Sequence, residues 1–424
     1  MALGLFIFFI IVCIIGVPIG FAMGAVTIAS FAALGGDMMI IPQKLFSAVD
    51  NFTFLCIILY ILAAEIMSNG GITESIVHFC DCLVGHVRGG LAYVNVLGSM
   101  LFAGISGSAS ADASGLGAIE IDIMTKAGYR REYASAVTAA SAIIGPIIPP
   151  SSVMIIYAAC AGGISVGKMF LGGLLPGILL GLSEMGICYY MAKKYNHPKR
   201  ENRSSIKEIM QATYETLPSL ILPLIILGGI VSGIFTATES GAIAVMYAII
   251  VAFVKKTLTL KSFYECCVRS AKTTASVMFI IAVASAMGWA VTTLQITQKL
   301  VAFFMSYVSS PGMFLLIVNV LLLAVGCLLD TSPALLLMVP ILLPVAMEFG
   351  IDPVHFGVVV CINLIVGLIT PPVGMTLFVT SNVAKIKLTD LYKEILPFVA
   401  VAIIVLFIIT YVPFLTTALP NWLM

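Results

Sequence analysis

The stretch LFAGISGSASADASGLGAIEIDIMTKAGYRREYASAVTAASAIIGPIIPP, Leu101–Pro150, is an apolar run interrupted twice. The first interruption carries Gly107, Ser108, Ser110, Asp112 and Ser114, and the second carries Gly145-Pro146 and Pro149-Pro150. A second copy lies at 321–372. There LLLAVGCLLDTSPALLLMVPILLPVAMEFG holds Asp330, Thr331 and Ser332 at its interruption, and VVVCINLIVGLITPP ends in Gly367, Thr370, Pro371 and Pro372. Gly145, Pro149 and Pro150 precede Gly367, Pro371 and Pro372 by 222 positions, and Gly128 precedes Gly350 by the same interval. One shared offset marks an internal repeat. Hydrophobic segments broken by Gly and Pro at matching places in two halves point to a carrier's binding site near the bilayer midplane.

The composition agrees. Of 424 residues, 61% are hydrophobic and 10% charged, against roughly a quarter charged in a soluble domain, so the chain is a polytopic, all-α membrane protein in contact with the lipid bilayer. A net charge of +1 gives no reason to expect a nucleic acid partner. The opening MALGLFIFFIIVCIIGVPIG has neither the basic start nor the cleavage site of a secretory signal and reads as a first helix. The ten cysteines have no zinc or disulfide spacing and read as packing residues. His78, His86, His197 and His355 lie far apart in the sequence.

Spans of about 20 apolar residues cross a bilayer as helices. They are expected at Leu3–Leu34, Phe52–Met67, Met169–Ala192, Leu217–Phe235, Ala237–Val254, Thr273–Leu294 and Ile395–Leu415. Between them come an amphipathic arm at 70–90, a hairpin at 91–127 and a broken helix at 132–161. A second arm is expected at 255–272, a second hairpin at 313–349 and a second broken helix at 354–382. The polar segment from Lys193 to Lys207 opens a connector, 193–216, between a first repeat, 1–192, and a second half, 217–424, which consists of one extra crossing and the second repeat.

Short cytoplasmic loops collect lysine and arginine. Arg88, Lys126, Arg130 and Arg131 bracket the first hairpin, whereas Ser309, Ser310, Pro311, Gly350, Ile351 and Asp352 bracket the second without a cation. Each hairpin therefore enters and leaves on one side, the first from the cytoplasm and the second from outside. The extra crossing makes the repeats inverted, with the N-terminus cytoplasmic and the C-terminus periplasmic.

Backbone left unpaired at bilayer depth costs several kcal/mol per group, so it survives only against protein or a water-filled cavity. Half-helix C-termini and unwound carbonyls attract a cation, half-helix N-termini attract a carboxylate, and proline frees the carbonyls that precede it. The candidate oxygens in the first half are Ser106, Ser108 and the carbonyls from Gly145 to Pro150. Those in the second half are Gly326, Asp330, Thr331, Ser332 and Gly367 to Val373. Proline kinks with small-residue packing account for the breaks alone and leave the polar hairpin tips unexplained. Asp112 and Asp330, ionisable groups at membrane depth, are functional candidates by default. Asp330 either binds an ion or caps the following helix.

The runs FAGISGSASADASGLGAI, GPIIPPS, CLLDTSPALLLMVPILLPV and GLITPPVGMTLF resemble the large membrane subunit of tripartite ATP-independent periplasmic transporters. The resemblance covers essentially the whole chain. It implies an elevator-type secondary transporter of the bacterial inner membrane, driven by sodium, fed by a periplasmic substrate-binding protein and paired with a small four-helix membrane subunit. That subunit is expected as a separate chain, and no organic cofactor is expected. In the family, sodium sits between hairpin tips and broken helices. This carries over to Ser106, Ser108, Gly145, Ile148 and Pro150, and to Gly326, Gly367, Thr370 and Val373, as sites for two or more coupling ions. Ser108, Ser110 and Asp112 carry over to the substrate side. The family moves small organic acids, and the ADASGLG run resembles sialic-acid members more than C4-dicarboxylate members.

Two other readings compete. Gly104-Ile105-Ser106-Gly107 matches the G-x-S-G pattern of intramembrane serine proteases, an enzyme that needs a histidine within hydrogen-bond reach of the serine. An ion channel is the other, but inverted hairpins favour alternating access at a midplane site.

Overall fold

The computed structural model describes every residue except 1–3, 5, 6, 10, 13, 14, 69–71, 200–202 and 309. The start of the first expected crossing, Ser309 and the centre of the connector therefore lie outside the described residues. Every regular element among the described residues is helical.

The first half runs α1 (Ile19–Leu34), α2 (Ile40–Val49), α3 (Leu55–Ser68) and α4 (Ile72–Val84), then a hairpin of α5 (Gly90–Ser106), α6 (Ala109–Ser114) and α7 (Leu116–Lys126). The broken helix α8 (Arg131–Ala142) and α9 (Ser152–Cys160) follows, and α10 (Val166–Lys194) closes the half. The second half runs α11 (Ile206–Val231), α12 (Ala237–Val254), α13 (Leu260–Thr293) and α14 (Ile296–Tyr307), then a hairpin of α15 (Pro311–Leu328) and α16 (Thr331–Glu348). Its broken helix is α17 (Pro353–Gly367) and α18 (Met375–Ala384), followed by α19 (Leu388–Tyr411) and a short α20 (Phe414–Leu423). Among the described residues, seven helices are long and apolar enough to span a membrane, or eight if α3 and α4, which meet at 72°, count as one span.

Capping chemistry explains where the pieces start. α8 ends at Ala142, just ahead of Gly145-Pro146, and after Pro149-Pro150 the Ser151 side chain restarts the chain as α9 by accepting a hydrogen bond from the Met154 N–H. Asp330 caps α16 by accepting from the Thr331 N–H at 2.8 Å. Ser310 and Asp352 cap α15 and α17, each followed by a proline at the first helical position. The Pro149–Pro150 and Pro371–Pro372 peptide bonds are both cis.

A shift of 222 positions carries α5 onto α15, α6 and α7 onto α16, α8 onto α17, α9 onto α18 and α10 onto α19, to within a few residues at each end. Contacts between the halves follow the same exchange. The tip helix α6 packs on α18 while α9 packs on α16, and α8 packs on α19 while α10 packs on α17. Arg130, just before α8, forms a 2.8 Å ion pair with Glu394 of α19. Such reciprocity is what a two-fold relation between the halves requires.

Three boundaries depart from the sequence reading. The arm expected at 255–272 is, from Leu260 onward, continuous with the crossing expected from Thr273 as one uninterrupted helix, α13, because LKSFYECCVRSAKTTASV contains no Gly or Pro to end it. The 222 shift instead places the counterpart of α4 at α14. The connector 193–216 is helical from Ile206, where Ser205 and Glu208 make a reciprocal capping box. The first crossing is interrupted between Ile15 and Pro18, and α1 begins only after that proline.

The connector's described start is strapped to the base of the first hairpin. The Gly89 N–H donates to the Pro198 carbonyl at 3.0 Å and Arg88 donates to Asn196 at 2.6 Å. His197 sits among Tyr129, Tyr133 and Tyr195, where burial and the nearby Arg130 guanidinium hold its imidazole below its usual range.

Candidate functional site

The first hairpin tip closes onto the first helix break. Gly107 has a left-handed φ of +61°, and a Cβ there would lie 2.7 Å from the Pro150 carbonyl oxygen, so only glycine permits this approach. Ser152 Oγ donates to the Gly107 carbonyl at 3.1 Å from across the same contact. Ser106 Oγ donates to the Ser108 carbonyl at 3.2 Å, folding the tip on itself. Asp112, one turn into α6, is 1% exposed and lies against Gly145, where a Cβ would come within 2.2 Å of its Oδ2. Neither Asp112 oxygen has a hydrogen-bond partner among the described residues, although the Ser106 side chain lies beside it.

Ser106 and Gly145 thus lie beside one buried carboxylate, and Ser108 and Pro150 lie at the same closure of tip on break, Pro150 against Gly107. The Ile148 side chain packs on Gly177 of α10, where a Cβ would meet Ile148 Cγ1 at 2.5 Å. Asp112, expected on the substrate side, is enclosed beside Gly145, and Ser110 is half-buried on the same helix.

In the second half Gly326 and Gly367 bring two backbones into contact. A Cβ on Gly367 would lie 2.5 Å from the Gly326 carbonyl carbon, and one on Gly326 would lie 2.8 Å from the Leu364 carbonyl oxygen. Cys327 Sγ donates to the Thr370 carbonyl at 3.1 Å, and the Gly374 N–H donates to the Cys327 carbonyl at 3.1 Å, binding the hairpin to the break. Thr370 Oγ1 donates back to Val366 at 2.9 Å, and the Tyr392 hydroxyl donates to the Pro372 carbonyl. Val373 lies in this unwound segment, half-buried beside the buried Gly374. Asp330 sits exposed at the tip as the α16 cap, followed by the buried Thr331 and the half-buried Ser332. By the 222 shift Asp330 matches Ser108 and Ala334 matches Asp112, so each tip helix carries one carboxylate, one turn apart in position.

Buried amides and hydroxyls that the sequence reading passed over hold each hairpin against its broken helix. Asn95 of α5 donates to Thr138 Oγ1 at 2.7 Å and accepts from Ser141 at 2.7 Å, and Ser99 donates to Ser141 at 3.0 Å. In the second half Asn363 of α17 donates to Asn319 Oδ1 at 2.7 Å, and Asn319 donates to Thr410 of α19 at 3.0 Å. Ser141 and Asn363 are related by the 222 shift. An asparagine inside an apolar span was the available signal, since polar side chains there stay only where they find partners.

The donors at both breaks are hydroxyls, carbonyls and carboxylates, the hard oxygens that a small hard cation takes. No group of three or more His, Cys, Asp or Glu side chains suited to a metal occurs among the described residues. The histidines serve elsewhere. His355 shares hydrogen bonds with Thr416 at 2.8 Å and the Thr410 carbonyl at 3.2 Å, and His197 lies in its tyrosine cage.

Two hairpins that each close on a broken helix, in repeats that exchange partners across a pseudo-two-fold, define a secondary-transporter fold. The chain belongs to the family described as "Tripartite ATP-independent periplasmic transporter, DctM component", which matches residues 6–415. It is similar to the sialic acid TRAP transporter large permease protein SiaM of Vibrio cholerae, at 40% identity over 96% of this chain and 95% of that one. It is equally similar to the C4-dicarboxylate TRAP transporter large permease protein DctM of Pseudomonas aeruginosa, at 40% identity over 94% and 93%. Among solved structures, the Alcanivorax borkumensis YdaH transporter shares the fold with a TM-score of 0.66, covering 91% of this chain and 88% of that one at 13% identity. The chain is a multi-pass membrane transporter subunit and not an enzyme, so Ser106 is no protease nucleophile.

Proposed function

We propose that the chain is the large membrane subunit of a sodium-driven uptake system for a small organic acid, with sialic acid the favoured cargo and a C4-dicarboxylate the next. The observation that carries sodium coupling is the buried Asp112 carboxylate, set against Gly145 and beside Ser106 without a hydrogen-bond partner among the described residues. A carboxylate buried without a partner is costly, and a bound cation offsets that cost. Gly326, Gly367, Thr370 and Val373, with Asp330 at the tip, form the second ion site. The substrate's carboxylate binds between the two tips, where Ser110 and Ser332 offer hydroxyls. Alternating access comes from an elevator movement of the hairpins and broken helices against the remaining helices. A periplasmic binding protein delivers the acid and a small membrane subunit braces the non-moving helices. Similarity to relatives named for sialic acid and for C4-dicarboxylate supports an organic acid in general, and the ADASGLG run supports the first.

The test is uptake in proteoliposomes that contain this chain, its small partner and loaded binding protein. Two sodium ions entering with a monoanion move one net positive charge inward, worth about 2.3 kcal/mol per 100 mV. An inside-negative potassium diffusion potential therefore raises the initial rate and the accumulation ratio. If a confirmed monoanion is carried with no response to potential and a sodium Hill coefficient near one, only one of the two breaks holds a coupling ion.

The orientation proposed with this function puts both ends of the first hairpin in the cytoplasm and both ends of the second outside. Impermeant thiol reagent added to intact cells should label a cysteine introduced at Ser310 and spare one introduced at Lys126. The reverse pattern means that the whole chain is inverted.

A further inference from the structure

Helix α10 carries one buried row that runs from the first helix break to the base of the first hairpin. Gly177 lies against Ile148, Gly181 against Met100 of α5, Cys188 beside Tyr133 of α8, and Ala192 against Gly89. Glu184 falls between Gly181 and Cys188, and steps of three and four residues keep all five positions on one helix face. Glu184 is 0% exposed, and neither of its carboxyl oxygens has a hydrogen-bond partner among the described residues.

The fold does not require a carboxyl at this position. The 222 shift carries Tyr133, Glu184 and Cys188 onto His355, Leu406 and Thr410. There the network is closed, with His355 hydrogen-bonded to Thr416 and to the Thr410 carbonyl, and Leu406 is as deeply buried as Glu184. A leucine fills the equivalent place at no cost, whereas a carboxylate enclosed without a partner is costly. Nothing charged offsets that cost. α5 brings Tyr93 and α8 brings Tyr133, both beside Cys188, and no described charged group on α9, α11, α17, α19 or α20 acts on Glu184. A metal ion would need several ligands, and no suitable group of His, Cys, Asp or Glu side chains occurs among the described residues. A proton needs only one carboxyl oxygen. The row also ends at the surface that the proposed orientation places in the cytoplasm. There the ring centroids of Tyr133 and His197 lie 4.5 Å apart, with Tyr129, Tyr195 and Arg130 around the imidazole.

We propose that Glu184 is a proton-binding site filled from the cytoplasm past His197, Tyr133 and Cys188, and that uptake of the acid requires the proton there. A proton from cytoplasmic water adds to one Glu184 oxygen and leaves the carboxyl neutral. The neutral form fits the packing of α5, α8 and α10, so the carrier works at low cytoplasmic pH and fails as that pH rises. The site's role rests on the reading of the chain as an organic-acid carrier and on its proposed orientation, and it adds cytoplasmic pH as a control on uptake.

The experiment uses proteoliposomes of this chain and its small partner, with loaded binding protein outside only, so that the lumen stands for the cytoplasm. N-acetylneuraminate and succinate are the probes, and wild-type uptake of either acid at equal pH on both sides tests the carrier reading by itself. For the acid that is carried, at fixed external pH and clamped membrane potential, raising the lumenal pH from about 6.5 to about 9 should slow the initial rate at least about threefold. Glu184→Gln, which holds the side chain uncharged, should lose that response. If the Gln variant does not fold, Glu184→Leu, with the side chain that the second half carries here, serves in its stead. A wild-type rate indifferent to lumenal pH overturns the proposal, and so does a variant whose rate falls with lumenal pH as wild type does. Infrared spectra of the purified complex decide the matter even if neither acid is carried. A protonated-carboxyl band that is present in wild type at neutral pH and missing from the variant supports the site, and spectra without that difference overturn it. Thiol labelling at Ser310 and Lys126 tests the orientation separately.

Discussion

Gly367→Ala is expected to cut the proposed sodium-dependent uptake at least about tenfold while the chain still reaches the membrane at normal levels. The added methyl would lie 2.5 Å from the Gly326 carbonyl carbon and 2.6 Å from its Cα, both backbone atoms of another helix. No rotamer change relieves a clash with backbone, so α15 and α17 must separate where Cys327 and Gly374 tie the hairpin to the break. Overpacking of this kind costs typically 1–3 kcal/mol, and here the strain falls on the carbonyls around Thr370, so a loss of at least about tenfold in rate is expected. Gly145→Ala makes a useful contrast. Its nearest neighbour is Asp112 Oδ2, the end of a side chain that can swing aside, so that variant keeps more uptake but binds sodium more weakly. Gly186→Ala, which meets nothing within 4 Å, should behave as wild type. Normal uptake by Gly367→Ala would show that the two backbones do not need this contact.

Asp112→Asn is the second large effect, and it falls on sodium affinity. The carboxylate is 1% exposed and its neighbours, Ser106 and Gly145, bring no positive charge. A cation about 4 Å away gains roughly 4 kcal/mol of attraction at the effective dielectric of partly buried sites. Part of this offsets desolvation, so the amide should raise the half-activating sodium concentration at least about tenfold, with a smaller change in the concentration dependence of the acid. Because Asn keeps the shape of the side chain, a change confined to sodium separates charge from packing. If half-activation by sodium is unchanged and only the acid binds more weakly, Asp112 faces the substrate, as the sequence resemblance had it.

Both hairpins and both breaks were legible in the sequence because the chemistry that makes them is local. Glycine, serine, aspartate and consecutive prolines stop a helix wherever they fall, and the 222-residue offset paired the two sets before any contact was known. The second arm was misplaced because Lys255, Lys256, Lys261 and Lys272 read as an interfacial stretch. Lys255 and Lys256 close α12, α13 runs unbroken through Lys261 and Lys272, and the same offset already pointed to α14. The capping box at Ser205 was there to be read but lay inside a segment taken as polar connector. The Asn95 and Asn319 networks and the approach of Asp112 to Gly145 depend on which helices meet, and no local pattern encodes that. Nothing in the spacing of Asn319 relates it to Thr410, 91 positions away.

The exchange of partners between the halves bears on how the chain is made. α6 and α9 emerge early in synthesis, yet the surfaces they pack against, α18 and α16, lie in the second half. Until those segments are inserted, the tip of the first hairpin and the resumed part of its broken helix have only half of their neighbours. The N-terminal half therefore has to wait in the bilayer with its polar tip incompletely covered, and the C-terminal half completes both sites as it arrives. By the same logic, half of this chain produced alone finds its missing surfaces only in a second copy inserted upside down.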